Sequence, residues 1–154
     1  MNISLIRIGK LHLGFAQEGF LEYQKRLQHY CKFHDELLIV NSKSKDQEQI
    51  KKTEAEAILK KIGASDYVIL LDEKGKSLSS LKWARQIEEF QLQNKNLVFV
   101  IGGAYGFDET VYKRANAMLS FSAFTFSHQL VPMLFGEQLY RVFTILKGEP
   151  YHHL

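Results

Sequence analysis

"NLVFVIGGAYGFDET", residues Asn96 to Thr110, is apolar from Leu97 to Ile101 and then empties into glycine at Gly102, Gly103 and Gly106. An unbroken apolar run of this length, without alternation, is the signature of a strand covered on both faces. "YVILLD" (Tyr67 to Asp72) has the same character. Two such strands need helices on both sides of one sheet, and the rest of the chain supplies them. "NISLIRIG" (Asn2 to Gly9) reads as a first strand. Phe15, Phe20, Tyr23, Leu27 and Tyr30 recur at helical steps, with Lys25 and Arg26 on the wet side. "ELLIV" (Glu36 to Val40) reads as a second strand. The polar run Asn41 to Gln49 reads as a loop into a helix ending near Ile62.

Further on, "KGKS" (Lys74 to Ser77) reads as a turn, and a helix is expected from about Ser80 to Gln91 with Ser79 or Ser80 as its N-cap. A short helix from Glu109 to Asn116 precedes a fifth strand, Met118 to Ser122. The last helix spans about Leu130 to Lys147, with Pro132 in its first turn and Gly148 and Pro150 stopping it. Strands alternate with helices, without a repeat or a composition break. The expectation is one α/β domain over residues 1–154, with a mostly parallel sheet and helices on both faces.

Composition narrows the function classes. The chain has 154 residues, 45% of them hydrophobic, enough for a core, but no run of apolar residues long enough to span a membrane. The amino terminus lacks the basic and long apolar regions of a signal peptide. Cys31 is the single cysteine, which excludes an intrachain disulfide and fits a cytoplasmic location. Cys31 and His34 have no second pair to complete a metal motif, so no metal is expected. Net charge is +3, from 20 Lys+Arg against 17 Asp+Glu, which is compatible with nucleic acid without requiring it.

The glycine turn fails as a phosphate loop. A dinucleotide fingerprint needs G-x-G-x-x-G after the first strand and an acid about 20 residues later. Here the glycines follow the fourth strand, and "FSAFTF" lies at the distance where the acid belongs. "GKS" at Gly75 to Ser77 lacks the earlier glycine of a P-loop, since position 70 is Leu70. Two readings of Gly102 and Gly103 stay open: a strand-to-loop turn that needs positive φ, or a ligand loop. Downstream, Ser120, Ser122, Ala123, Thr125 and Ser127 alternate with Phe121, Phe124 and Phe126. This is either a half-buried strand running on through Phe126, or a segment whose backbone groups and rings can hold an adenine.

"VFVIGGAYGF", "LSFSAFTFSHQLVPMLFGEQLYRVFTILKGEPYHH" and "ISLIRIGK" together resemble the RlmH/YbeA family of SPOUT RNA methyltransferases over nearly the whole chain. The resemblance implies a homodimer with a deep trefoil knot in the C-terminal part. It implies S-adenosylmethionine as methyl donor and N3-methylation of a pseudouridine in helix 69 of 23S rRNA, within the large subunit or the assembled ribosome. It carries over Leu71, Gly102 with its neighbour Gly103, and the six residues Phe121, Ser122, Ala123, Phe124, Thr125 and Phe126 as cofactor contacts. S-adenosylmethionine has no phosphate, which suits a glycine turn with the wrong spacing for one.

Arg141, Tyr151 and His152 are the catalytic candidates, with Glu137 and His128 as possible additions. Glu137 and Arg141 are also spaced as an ordinary i,i+4 ion pair. The resemblance implies that the Pro-Tyr-His ending reaches the partner's active site. It also exposes departures. Ser127 stands where the family has proline and Tyr105 where it has a polar residue. His153 replaces a basic residue, and the sequence ends on Leu154. Two rival readings remain at this stage: a SPOUT enzyme acting on tRNA, and a non-catalytic ribosome-binding or assembly factor that keeps the pocket.

Overall fold

The computed structural model describes residues 1–153; Leu154, the terminal departure, lies outside the described residues. Ten elements alternate along the chain: β1 (Asn2–Ile8), α1 (Gly14–Leu27), β2 (Lys32–Leu38), α2 (Gln47–Leu59), β3 (Tyr67–Ser77), α3 (Ser80–Leu92), β4 (Leu97–Ile101), α4 (Glu109–Arg114), β5 (Ala117–Ser120) and α5 (Val131–Leu146). The five strands form one sheet in the order β2-β1-β4-β3-β5, every pairing parallel. The expected α/β class with a mostly parallel sheet is met and is, in this sheet, parallel throughout.

β4 is central and all five of its residues are buried. The period of two divides it: Leu97, Phe99 and Ile101 face α1, α3 and α5, while Val98 and Val100 face α2 and α4. On the first face Phe135 of α5 stacks obliquely on Phe99, ring centroids 4.9 Å apart, and Trp83 of α3 meets the Phe99 edge at 6.0 Å. The second core is thinner, with Ala55 and Ile58 of α2 and Val111 of α4 closing over Ile6, Val68 and Leu70. Local chemistry sets the ends. Ser79 Oγ accepts the Lys82 N–H at 3.3 Å and caps α3. Gly148 at φ +67 supplies the left-handed residue that ends α5.

Three expectations need correction. The second strand runs Lys32–Leu38, not Glu36 to Val40, because Asn2 to Ile8 pair with it residue for residue and carry the ladder through its polar half. "KGKS" is no simple turn: β3 continues to Ser77 through a bulge, so that both Leu71 and Lys76 oppose Leu119. There Gly75 passes so close to β5 that a Cβ on it would lie 2.7 Å from the Leu119 backbone. The fifth strand runs Ala117–Ser120, not Met118 to Ser122, and a looped segment follows it, against the open reading of a half-buried strand through Phe126.

Candidate active site

The carboxyl ends of parallel strands, where loops diverge, are where open α/β sheets hold ligands. Here the ends of β4, β3 and β5 surround a cleft of ≈ 900 Å³. Leu71 closes it where the β3 bulge begins, Ile101, Gly102 and Gly103 at the end of β4, and Leu119 to Ser122 at the end of β5. Phe124, Thr125, Phe126 and His128 reach it from the following loop. Of the nine residues expected to contact the donor, eight line this one space; Ala123 is exposed and does not.

The loop that forms the outer wall is shaped by its small side chains. Ser120 Oγ donates to the Ser122 carbonyl at 3.0 Å, and Ser122 Oγ accepts the Phe124 N–H at 2.9 Å. These bonds turn the chain and leave the Phe124 ring 81% exposed at the rim. Phe121 turns inward onto Trp83, 6.1 Å between centroids, and anchors the loop to the core. Gln129 ties the loop to the β1–α1 connection, accepting the His12 N–H at 2.6 Å and donating to the Lys10 carbonyl at 3.2 Å.

Across the cleft, the glycines do not behave as the strand-to-loop reading requires. Gly102 and Gly103 have no positive φ; Gly106 does, at +80, where the Gly106 N–H closes a tight turn on the Gly103 carbonyl at 3.2 Å. Gly102 and Gly103 are instead places of close approach. A Cβ on Gly102 would meet the Phe107 ring at 3.1 Å, and one on Gly103 would meet the Glu54 carboxyl at 2.5 Å.

Acidic groups missed in the sequence complete the wall. Five carboxylates (Glu48, Asp72, Glu73, Asp108 and Glu109) face three lysines (Lys51, Lys52 and Lys74), and Lys51 is itself paired with Glu48 at 2.7 Å. Asp72 is held by the Tyr112 hydroxyl at 2.5 Å and the Lys74 N–H at 2.8 Å. Burial and then this bond push the Tyr112 phenol up to about 12. Glu73 meets Thr125 Oγ1 at 3.5 Å. A wall with more carboxylates than lysines suits a ligand bearing positive charge and opposes a phosphate. The one hint in the sequence was Asp72 itself, an acid closing an apolar strand.

Glu137, Arg141, Tyr151 and His152 do come together, but not in the cleft. Along α5 the Arg141 guanidinium donates to Glu137 Oε1, and the Tyr151 hydroxyl donates to the same oxygen at 3.0 Å. Arg141 Nη1 lies 3.3 Å from His152 Nδ1, and its guanidinium stacks over the Tyr151 ring at 4.8 Å. The Tyr23 and Tyr151 hydroxyls meet at 3.3 Å, which joins the tail to α1. His153 is exposed beyond this cluster. The i,i+4 pair therefore exists, and it forms part of a larger polar group that, among the described residues, has no hydrogen bond to a residue of the cleft. Among the described residues no cluster of metal-binding side chains is found, and no helix is long and apolar enough to cross a membrane.

Residues 1–152 match the family model described as "Predicted SPOUT methyltransferase". The chain belongs to the SPOUT methyltransferase family. Full-length relatives carry the name "Ribosomal RNA large subunit methyltransferase H". They include proteins of Parabacteroides distasonis (47% identical over 156 residues), Flavobacterium johnsoniae (49% over 156) and Clostridium botulinum strain Kyoto (46% over 158). Each alignment covers 99% of both chains. A solved structure of a probable methylase family protein from Haemophilus influenzae Rd KW20 superposes with a TM-score of 0.57, covering 99% of this chain and 71% of that one. At 15% identity it bears on the fold alone. The SPOUT assignment gives the cleft its chemical meaning, since a methyltransferase must hold a methyl donor.

Proposed function

We propose that this chain methylates large-subunit ribosomal RNA in the cytoplasm, with S-adenosylmethionine as donor and N3 of a pseudouridine in helix 69 of 23S rRNA as acceptor. The observation that carries the reading is the convergence of Leu71, Gly102, Gly103 and the Phe121 to Phe126 segment on one cleft. The relatives' shared name supports the class of substrate. The residues present fit the donor. The acidic wall matches its positive charge, the phenylalanines offer apolar faces to its adenine, and the glycines leave room where side chains would intrude. When bound, S-adenosylmethionine supplies an activated methyl group, electrophilic because it sits on a sulfonium.

The chain's own work is placement and exclusion of water. Leu71, Ile101 and Phe107 make an apolar inner wall, and Phe121 locks the loop opposite them. Holding donor and acceptor in line contributes several kcal/mol to catalysis. Methyl transfer to an ionised N3 neutralises charge, so a cleft that sheds water favours it. Arg141 holds a positive charge that can stabilise the N3 anion or grip a phosphate, and Tyr151 and His152 beside it can stack on a base. Glu137, as hydrogen-bond acceptor, keeps that guanidinium further inside its charged range.

Since this cluster and the cleft are apart within one chain, the working unit is a homodimer. In it the Tyr151–His152 tail of one protomer completes the cleft of the other. The C-terminal part is read as a deep trefoil knot on the ground of the family match.

The test is mass mapping of methyl groups on rRNA after incubation of the protein with ribosomes and labelled donor. Methylation at the helix 69 pseudouridine is expected. Methyl groups on tRNA alone, or none anywhere, would overturn the substrate or the activity respectively. Arg141→Ala should lower methylation by about tenfold or more while donor affinity, read by calorimetry, stays within about twofold of the parent. Equal activity would leave Arg141 as an ion-pair partner and nothing more.

A further inference from the structure

Of the five carboxylates that line the cleft, four are accounted for by their neighbours or lie in solvent. Glu48 pairs with Lys51 and Glu109 with Lys113. Asp108 Oδ1 caps α4, accepting the Thr110 N–H at 2.9 Å and the Thr110 hydroxyl at 2.7 Å. Glu73 is exposed. Asp72 differs: it is half-buried and has no ion-pair partner among the described residues. Neutral donors fix it, the Tyr112 hydroxyl on Oδ2 at 2.5 Å and the Lys74 N–H on Oδ1 at 2.8 Å. An ionised carboxylate has about four lone-pair sites, so each oxygen keeps one to offer a ligand.

Its place in the sheet says which part of a ligand it meets. Leu71 pairs with Ile101 on one side and with Leu119 on the other, so Asp72 leaves the ladder between Gly102 and Ser120. Alternation along β3 turns Leu70 towards α2 and α4, Leu71 to the other face, and Asp72 back towards α4. There Tyr112 meets it, with its ring against Phe107 of the glycine turn at 5.7 Å. Phe121 packs on Trp83, on the opposite face. The cleft is thus charged beside the glycine turn and aromatic at the Phe121 to Phe126 segment. S-adenosylmethionine has two matching ends, a flat base and a charged amino acid. With adenine against the phenylalanines, the amino-acid end falls beside Asp72.

We propose that Asp72 binds the α-ammonium of S-adenosylmethionine, with Tyr112 as the positioning residue that fixes its carboxylate. The sulfonium carries no hydrogen, so the ammonium is the donor's cationic N–H group. It forms a charge-assisted bond at an acceptor site that Tyr112 and Lys74 leave open. This rests on the reading that the cleft holds S-adenosylmethionine.

The experiment is calorimetry with three ligands: S-adenosylmethionine, S-adenosylhomocysteine, which keeps the ammonium on a neutral sulfur compound, and methylthioadenosine, which lacks the amino-acid part. Each is titrated into the parent, Asp72→Asn and Tyr112→Phe, with the thermal midpoint as the check on folding. Asp72→Asn keeps the shape and an acceptor for Tyr112 while removing the charge. It should weaken the first two ligands about tenfold each and leave methylthioadenosine within about twofold of the parent. Tyr112→Phe releases the carboxylate without discharging it. It should weaken the first two about threefold and spare the third. Asp72→Asn that binds all three like the parent, or loses all three alike, would overturn the proposal. So would a loss confined to S-adenosylmethionine, which would set the carboxylate against the sulfonium instead. Parent-like binding by Tyr112→Phe would remove Tyr112 from its positioning role. Should Asp72→Asn not fold, the ligand pattern of Tyr112→Phe decides by the same criteria. A parent that binds none of the three removes the cofactor reading and this assignment with it; a parent that binds while Asp72→Asn is unaffected removes this assignment alone.

Discussion

Replacing Gly75 by alanine adds one methyl group where two backbones cross at close range. A Cβ there would stand 2.7 Å from both the backbone N and C of Leu119 and 2.8 Å from the Met118 carbonyl carbon. Relief to ordinary van der Waals contact requires the two chains to separate by about 0.7 Å. No flexible side chain can absorb that movement, because every near atom belongs to a backbone. Nor can the strands slide apart freely, since pairings of β5 with Leu71 and with Lys76 hold Leu119 from both ends of the bulge.

Overpacking in a well-packed interior costs about 1–3 kcal/mol, and a backbone-only clash belongs at the upper end of that range. At about 2–4 °C per kcal/mol for a chain of this size, the melting temperature should fall by about 6–12 °C. Gly14→Ala is the matched control. Nothing lies within 4 Å of a Cβ at that first position of α1, and its φ is ordinary. It should leave the midpoint unchanged or raise it slightly. Scanning calorimetry on both variants decides the matter. A Gly75→Ala protein melting within about 2 °C of the parent would show that the bulge is pliable and would refute the reasoning.

Two further perturbations test single side chains. Asp35→Ala strands the Arg7 guanidinium, whose side chain is 10% exposed, and should cost about 3 kcal/mol in urea unfolding; a loss below about 1 kcal/mol would mean that water already serves it. Tyr112 has a folded pKa of about 12 against an ordinary 10.0, so the stability it contributes is complete below pH 10 and is lost as pH climbs towards 12. Tyr112→Phe should flatten that part of the alkaline unfolding curve, and an unchanged slope would show that the Tyr112 phenol is not its source.

Where burial alone decides a residue, the sequence was readable. Leu97 to Ile101 and Tyr67 to Leu71 carry no polar residue that a two-sided strand would have to explain, and both strands were placed from that pattern. β2 was misplaced because it is an edge strand. Lys32, His34 and Asp35 look like loop residues, and only pairing with β1 makes them a strand. The resumption of β3 after Gly75 was equally hidden, since a glycine flanked by lysines signals a turn unless a second backbone passes over it. Eight cofactor candidates were located through resemblance to a family rather than through periodicity. The burial of Glu54 was hidden too: in a helical pattern an acid reads as solvent-facing, and only the fold brings the Gly103 backbone against its carboxyl.

The position of β5 at the sheet's edge also has a consequence in time. β1 to β4 are complete by residue 101, and they contain most of the apolar strand surface. The outer wall of the cleft, from Leu119 onward, is made last and must dock beside β3 after the rest of the sheet can already exist. During translation, then, the growing chain passes through a long stage with a core but no place for a ligand. Catalytic competence arrives with the final third of the polypeptide, so a truncated product is a silent protein rather than a weakened enzyme.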